Sequence, residues 1–486
     1  MTPAVNYLGA LLLMLAGASI RTRALKQGFL LAASYLFYAA WGTGFLTILV
    51  ASSVLNFGLG ALLRRKPTLG RLWLGIIVNI ALLGFLKYLP ALSSDASFFH
   101  RILMPAGMSF WTFQALSYLF DLYQEEEIDA SLLEFCLYLS FWPTVLMGPV
   151  CRLPKMLPQF REVHGLSLEN LVAGLHRIGI GLFMKLILAQ FLGSALGAAL
   201  EVAGGFEKAG HAWGGLDVWF MAIAFGFQLF FDFSGYSHIV IGAALLFGFK
   251  IEENFDSPYW SSTPSVFWTK WHMSLSSWIR DYVFIPSATL RHEPLWRYFA
   301  LLSSMVLFGL WHGATVTFLL WGTYHGIFLI LHRLGQQFQR RSGISMDGAA
   351  GTFLSWAVTF FGISLGWVLF RTSDLQQALA MFRAVLSPAS YAQLLLPADC
   401  YRAVLVLVSG YFVYGGLTSG DWVSRKGEEL LKGGAGDPGA ARRILAFSWE
   451  NRRWWLTPMA VTVVVFAGLI VLFQNSRVTP FVYTLF

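Results

Sequence analysis

The chain has 486 residues, 56% of them hydrophobic and only 12% charged, with a mean hydropathy of +0.61. Ordinary soluble domains carry roughly 25% charged residues, so this composition excludes a soluble globular protein and points to an integral membrane protein. A net charge of +8 would suit nucleic acid, but the cations lie in short loops beside apolar runs, where loop topology and anionic lipid account for them; membrane lipids are the expected partner, and no nucleic acid is.

Apolar runs recur near 4–20, 28–42, 43–62, 72–88, 104–122, 132–150, 170–200, 216–232, 235–250, 298–311, 313–334, 352–370, 402–419 and 456–473. A helix needs about 20 such residues to cross a bilayer. Several runs are short or polar, so we expect about ten to twelve membrane helices plus re-entrant or interfacial ones. The runs are continuous rather than alternating, which excludes a barrel and makes the fold class all-α and polytopic. The first run is followed, not preceded, by Arg21, Arg23 and Lys26, the reverse of a secretory signal, so it is expected to stay attached. Arg64, Arg65, Lys66 and Arg71 follow the third run, and Arg152, Lys155 and Arg161 the sixth. The positive-inside rule then places these loops in the cytoplasm and Met1 outside. We read one integral membrane domain over 1–486: N-terminal spans in 1–103, a core in 104–334, and C-terminal spans in 335–486. A cytoplasmic loop is expected near 425–454, where glycine, proline and charge rise together in 425–443.

Along this order, four regions carry polar residues where apolar ones are expected, and ionisable groups at membrane depth mark sites by default. MPAGMSFWTFQALSYLFDLY (104–123) contains Pro105, Gly107, Ser109, Gln114, Ser117 and Asp121, and is expected to be buried or re-entrant. FWPTVLMGPVCRLPKMLPQF (141–160) has four prolines and Gly148, through which no straight helix runs. FFDFSGYSHIVIG (230–242) sets Asp232, Ser234, Tyr236 and His238 around Gly235, either as a helix break whose polar groups satisfy one another or as a pathway lining.

The fourth region begins with VFWTKWHMSLSSWIRDYVFIP (266–286), which is amphipathic at helical period. Trp268, Trp271, Leu275, Ile279 and Tyr282 share one face, and Thr269, His272, Ser276 and Arg280 another. An inert interfacial helix anchored by tryptophans has the same pattern. It ends in FGLWHGATVTFLLWGTYHG (308–326), with His312 and His325. On one continuous helix these would be separated by about 20 Å and roughly 220°, so they are not expected to share a site. His312, between Trp311 and Gly313, is free to meet His272 instead. Cys136, Cys151 and Cys400 lack metal-ligand spacing; packing roles are expected for them, and no metal.

Two histidines in an apolar enclosure suit acyl transfer from a thioester to a hydroxyl. Neutral imidazole takes the alcohol's proton near pH 7, a second polar group orients the acyl group or stabilises charge, and apolar walls keep out hydrolytic water. A proton relay or ligand gating would use the same pair, although the chain lacks the two similar halves many transporters show.

The runs MPAGMSFWTFQALSYLFDLY, FWPTVLMGPVCRLPKMLPQF and FFDFSGYS, then ENFDSPYW through WHMSLSSWIRDYVFIP, and FGLWHGA with WGTYHG resemble, in that order, the membrane-bound O-acyltransferase (MBOAT) family. The likeness is to its bacterial branch of alginate O-acetyltransferases and D-alanyl-transfer proteins. It implies a curved helical bundle around a central tunnel, with donor entering from the cytoplasm and acceptor from the other side. It also implies a catalytic His312, from the WHG motif, and a catalytic partner His272, from WHxSLS. We place Trp271, Trp311, Asp232 and Arg280 along the tunnel or substrate path, and give His325 a structural role. The expected reaction moves an acyl group, acetyl first, from a cytoplasmic thioester (acetyl-CoA or an acyl carrier protein) to a hydroxyl of an envelope acceptor such as an exopolysaccharide. No cofactor is expected to be tightly bound. An extracytoplasmic SGNH-type acyltransferase or esterase is the expected relay partner, and a bacterial inner membrane the location. The alternatives are D-alanyl or other acyl transfer to a different envelope polymer, a transporter or flippase of a lipid-linked sugar, and a scaffold for envelope assembly. Departures from the family pattern are SATLRHEPLW (287–296), in place of a glycine-rich continuation, and His238–Ile239 after FFDFSGYS.

Overall fold

The computed structural model describes residues 20, 22–88, 105–162, 167–202, 213–343, 348–372 and 374–418, without the side chains of 198–202 and 414–418. The expected spans at 4–20, but for its last residue, and 456–473, the segment 89–103 and the loop 425–454 lie outside the described residues. Within them the chain is helical, and its only extended pairing is a single antiparallel bridge, Phe255 with Trp271. The helices are α1 (Arg23–Ala39), α2 (Thr43–Arg65), α3 (Leu69–Leu83, continued by a π-helical turn Gly84–Tyr88), α4 (Met108–Tyr123), α5 (Leu132–Ser140) and α6 (Leu153–Arg161). Next come α7 (Leu168–Phe183, then a π-helical stretch Met184–Ala189), α8 (Gln190–Val202), α9 (Gly215–Leu246), α10 (Pro264–Lys270) and α11 (Met273–Ile279, then a π-helical turn Arg280–Phe284). The last are α12 (Ile285–Ala288), α13 (Pro294–His312), α14 (Val316–Ser342), α15 (Ala349–Arg371), α16 (Leu375–Leu386) and α17 (Ala398–Thr418).

Five stretches are long and apolar enough to cross a membrane among the described residues: Thr43–Arg65, Leu69–Lys87, Leu168–Gly197, Gly215–Leu246 and Ala349–Arg371. Their outward faces carry large apolar side chains such as Val54, Leu55, Trp73, Ile77 and Ile80, as lipid contact requires. The chain is thus a multi-pass, all-α membrane protein.

Three expectations about individual runs are corrected. The run 132–150 is no span: α5 has nine residues, and turns follow it through Pro143 and Gly148. The runs 216–232 and 235–250 are not separated by a break; α9 is one helix of 32 residues. Gly235 marks a close helix approach instead, because a β-carbon added at Gly181 of α7 would come 2.5 Å from the Gly235 carbonyl oxygen, the small-residue contact typical of membrane helices. The amphipathic helix of 266–286 is interrupted at Trp271–His272, where the chain pairs with residues near 255.

The chain divides into two compact units interleaved in sequence. One comprises Met1–Leu182, Ser234–Asp256 and Trp268–Gln337, and the other Phe183–Phe233, Ser257–Phe267 and Phe338–Phe486. In the second, the fully buried Asp217 accepts hydrogen bonds from the Leu395 and Leu396 amides (3.2 and 3.4 Å) and from the Tyr401 hydroxyl. Phe227, Phe230, Tyr259, Tyr411 and Phe412 form an aromatic cluster there. In the first unit, α2 and α3 are joined by reciprocal side-chain hydrogen bonds between the buried Asn56 and Asn79 (3.1 and 2.7 Å). Gly107 enters α4 at φ 75°, and a β-carbon there would lie 1.9 Å from the Val145 carbonyl oxygen.

Glu134 ties α1, α5 and α6 together. It completes a capping box with Ser131 and accepts from Arg161 Nε (2.9 Å) and Nη2 (3.1 Å), Arg23 Nη2 (2.8 Å) and Gln27 Nε2 (3.2 Å). Burial pushes its pKa up, but the hydrogen bonds from Arg161, Ser131 and Arg23 outweigh that and hold the carboxyl well below the usual carboxylate range. The stability this contributes is therefore present above the unfolded carboxylate pKa and is lost as pH falls toward the depressed folded value. Arg23 and Arg161 keep their side chains 51% and 34% exposed, so water takes up part of any loss. We expect Glu134→Ala to cost about 2 kcal/mol at neutral pH. Hydrogen exchange at pH 7 checks this: amides of 23–39 and 131–140 should exchange faster in the variant, and unchanged protection there would show that the hub is dispensable.

Candidate active site

Helices α13 and α14 form an antiparallel hairpin whose backbones nearly touch. A β-carbon on Gly309 would meet the Phe318 carbonyl oxygen at 2.3 Å, and one on Gly322 the Met305 carbonyl oxygen at 2.3 Å. Only glycine allows this approach. The helix ends at His312, and residues 313–315 turn the chain into α14. Because of that turn the single-helix rotation argument does not apply to His312 and His325. Both rings stand edge-on to the indole of Trp321, with centroids 5.3 and 4.9 Å away. His325 is fully buried and also meets Trp268 (5.2 Å) and Tyr324 (5.2 Å). His312 keeps partial exposure and is surrounded by Trp311 (4.6 Å), Phe308 (5.4 Å) and Phe318 (5.9 Å).

The polar motif in 104–123 supports this enclosure from behind. Phe110 and Phe113 of α4 pack on Trp311, with centroids 6.1 and 5.6 Å away. Phe113 also stacks near Trp278 (4.5 Å), whose indole N–H donates to the Phe113 carbonyl (2.9 Å). Thirteen side chains of α4 are buried, as expected of a buried rather than lipid-facing segment. Asp121 accepts from the Tyr282 hydroxyl (2.6 Å), and Arg152 lies 4.4 Å over the Tyr282 ring while pairing with Asp281 (3.2 Å). The proline-rich 141–160 thereby closes onto the α11 segment.

His272 sits at the break between α10 and α11. Asp256 N donates to Lys270 O (3.1 Å) and Met273 N to Asn254 O (2.8 Å), on either side of the Phe255–Trp271 bridge. A Lys270–Asp256 ion pair (3.1 Å) and the Phe255–Trp271 ring contact (5.2 Å) close the same neck. The chain then turns at His272 with φ 44° and ψ 53°, a left-handed conformation that costs a non-glycine residue about 1–3 kcal/mol and persists only where its surroundings impose it. Its ring Nδ1 lies 3.2 Å from Asn254 Oδ1. His272 is 3% exposed, and burial pushes its pKa down to about 3, so it is neutral at physiological pH.

The structure thus brings His272, His312, Trp271 and Trp311 into one unit. Arg280 is exposed and paired with its neighbour Asp281 (2.7 Å). Asp232 belongs to the other unit and is ion-paired with Lys185 (2.5 Å). His238 accepts from Arg177 (3.3 Å), which also forks onto Glu253. No cluster of metal-ligating side chains occurs among the described residues.

Sequence reasoning passed over two residues. Lys87, at the end of the α3 π-helical turn, donates to the Trp311 carbonyl and lies 5.0 Å over its indole, capping the carboxyl end of α13 as a cation does favourably. Its signal was a lone cation closing an apolar run. Asn254, in ENFDSPYW, has a fully buried side chain, and a loop asparagine gives no periodic signal.

Residues 67–373 match the membrane-bound O-acyltransferase family, and residues 439–486 match a family of unknown function (DUF5989). The chain is 34% identical over 376 residues to a probable alginate O-acetylase AlgI of Pseudomonas syringae, covering 74% of this chain and 69% of that protein. It is 31% identical over 419 residues to a peptidoglycan O-acetyltransferase of Helicobacter pylori, covering 78% and 77%. A teichoic acid D-alanyltransferase of Streptococcus thermophilus is 30% identical over 240 residues, covering 46% and 56%.

The hairpin contact makes a prediction. Gly322→Ala must push α13 from α14, displacing His312 relative to Trp321. Misplacement by about 1 Å costs on the order of a hundredfold in rate, so kcat should fall by about that much. Gly335→Ala, where a β-carbon meets nothing within 4 Å, should leave it unchanged. Equal turnover in both purified variants would show that the crossing does not set the site.

Proposed function

The chain belongs to the membrane-bound O-acyltransferase family and is a membrane-embedded O-acyltransferase, and from that premise we propose that it moves acetyl from a cytoplasmic thioester to an envelope acceptor across a bacterial inner membrane, with His312 as general base. The observation that carries this reading is the partly exposed His312 at the end of α13, set in a wall of aromatic rings in the same unit as the buried, neutral His272. The acceptor oxygen attacks the thioester carbonyl carbon as His312 takes the hydroxyl proton. The tetrahedral intermediate collapses with cleavage of the C–S bond, and the imidazolium returns its proton to the leaving thiolate. The products are an ester and a free thiol. Trp311, Phe308, Phe318 and Trp321 limit water that would hydrolyse the acyl group. The donor is acetyl-CoA or an acyl carrier protein.

Lys87 favours acetyl over D-alanyl. A D-alanyl group carries an ammonium, which the amine of Lys87, hydrogen-bonded to the carbonyl of Trp311 next to His312, disfavours, whereas acetyl is neutral. The O-acetylating relatives also align over more of this chain than the D-alanylating one. The acceptor is an exopolysaccharide, reached through an SGNH-type partner. Drawing a hydrated polymer into an apolar enclosure strips its hydroxyls of water at high cost, and a secreted partner that takes the acetyl group at the outer mouth avoids it.

His312→Ala should lower turnover by about 10²- to 10⁴-fold while the protein remains monodisperse. The double variant with His272→Ala should be little worse than the more damaging single one, because residues acting as a unit give non-additive losses. Near-normal turnover in folded His312→Ala would sink the assignment. A second experiment tests the relay: the protein alone in vesicles, with acetyl-CoA on its cytoplasmic face and polymer on the other, should acetylate the polymer poorly until a secreted partner is added. Efficient His312-dependent acetylation without one would establish direct transfer.

A further inference from the structure

Asn254 receives every contact needed to dictate which nitrogen of His272 carries the proton. The Ser274 backbone N–H, which can only donate, points at Asn254 Oδ1 (3.3 Å), and the Ser274 hydroxyl donates to the same atom (2.7 Å). That hydroxyl accepts from the Val150 amide (2.9 Å), so its own proton is available for Asn254. On the other side, Asn254 Nδ2 donates to Ser237 Oγ (3.3 Å). The amide orientation is fixed by these donors, and the atom facing His272 Nδ1 at 3.2 Å is therefore an acceptor. His272 Nδ1 must donate, which leaves the lone pair on Nε2.

We propose that Asn254 is a positioning residue that locks His272 in its Nδ1–H tautomer, so that His272 enters the acyl transfer as a hydrogen-bond acceptor through Nε2 and not as an oxyanion donor. The inference rests on the reading of His272 and His312 as one unit and assigns the division of labour within it. An imidazole that donated from Nε2 would stabilise the negative charge of the tetrahedral intermediate. One that presents a lone pair there stabilises the positive charge that His312 gains when it takes the hydroxyl proton. The backbone is built for the same end: Met273 N donates to Asn254 O (2.8 Å), and the left-handed turn at His272 is imposed by that bond and the adjoining bridge. A side chain so held keeps one ring orientation, as tautomer-setting partners of catalytic and metal-bound histidines do.

The test uses full-length protein with ¹⁵N-labelled histidine in lipid nanodiscs, with the His272 signals identified by difference from His272→Gln. The expected wild-type spectrum has a protonated, pyrrole-type Nδ1 and a pyridine-type Nε2. Asn254→Leu should mix the tautomers and lower kcat by about 10²-fold or more with little change in KM. Asn254→Asp, which still accepts from Nδ1 and can accept from Ser237 with its other oxygen, should retain turnover within about tenfold. A wild-type His272 protonated on Nε2 overturns the proposal outright, and this reading does not depend on any Asn254 variant folding. An unaltered tautomer in folded Asn254→Leu overturns it too. Full turnover in folded His272→Ala overturns the underlying reading of the pair instead, a failure told apart because the wild-type spectrum would still show the Nδ1–H form.

Discussion

Lipid supplies no hydrogen bonds, so a polar group carried into the interior is costly unless the protein itself supplies its partner. That constraint organises the first unit. Asn56 and Asn79 satisfy each other between α2 and α3. Glu134 gathers two arginines, a glutamine and a capping serine from three helices. Asn254 gathers His272, Ser274 and Ser237. In these three places a polar residue that costs energy to bury is used as a junction between separate elements, and a buried junction with all partners present is rigid. The enclosure around His312 inherits its geometry from these junctions and from the glycine crossing of α13 and α14.

Much of this was legible in the sequence, and the rest was hidden for identifiable reasons. Composition and continuous apolar runs sufficed for the all-α membrane class, because hydropathy reports directly on the solvent a segment meets. His272 and His312 stood out as imidazoles in aromatic surroundings. The interruption at Trp271–His272 was invisible, because side-chain periodicity continues through it while the cause is backbone pairing with residues 254–256. Gly235 looked like a helix breaker, yet it is where α7 and α9 come together, and a lone glycine has the same appearance in both roles. Lys87 was passed over because a lysine at the end of an apolar run usually extends toward headgroups. Only three-dimensional contact reveals that it reaches the carboxyl end of α13.

The two histidines of α13 and α14 illustrate how one aromatic side chain can serve two environments. Trp321 is 1% exposed and presents its indole to both imidazoles. On one side lies a ring with access to the outside, on the other a ring sealed among Trp268 and Tyr324. Aromatic pairs in edge-on contact gain about 0.5–1.5 kcal/mol beyond their area burial, so the indole steadies His312 without offering it a competing acceptor.

The neck at residues 254–256 and 270–273 has a further consequence for the chain it joins. The bridge, two backbone hydrogen bonds and the Lys270–Asp256 ion pair close a loop whose interior, residues 257–267, belongs to the other unit. The backbone at His272 is held by the contacts of the neck itself, while the segment it closes off packs Tyr259 into the aromatic cluster of the second unit. Two demands that meet in one short stretch of chain, the ring orientation of a histidine and the packing of an aromatic cluster, are thus met by separate sets of contacts.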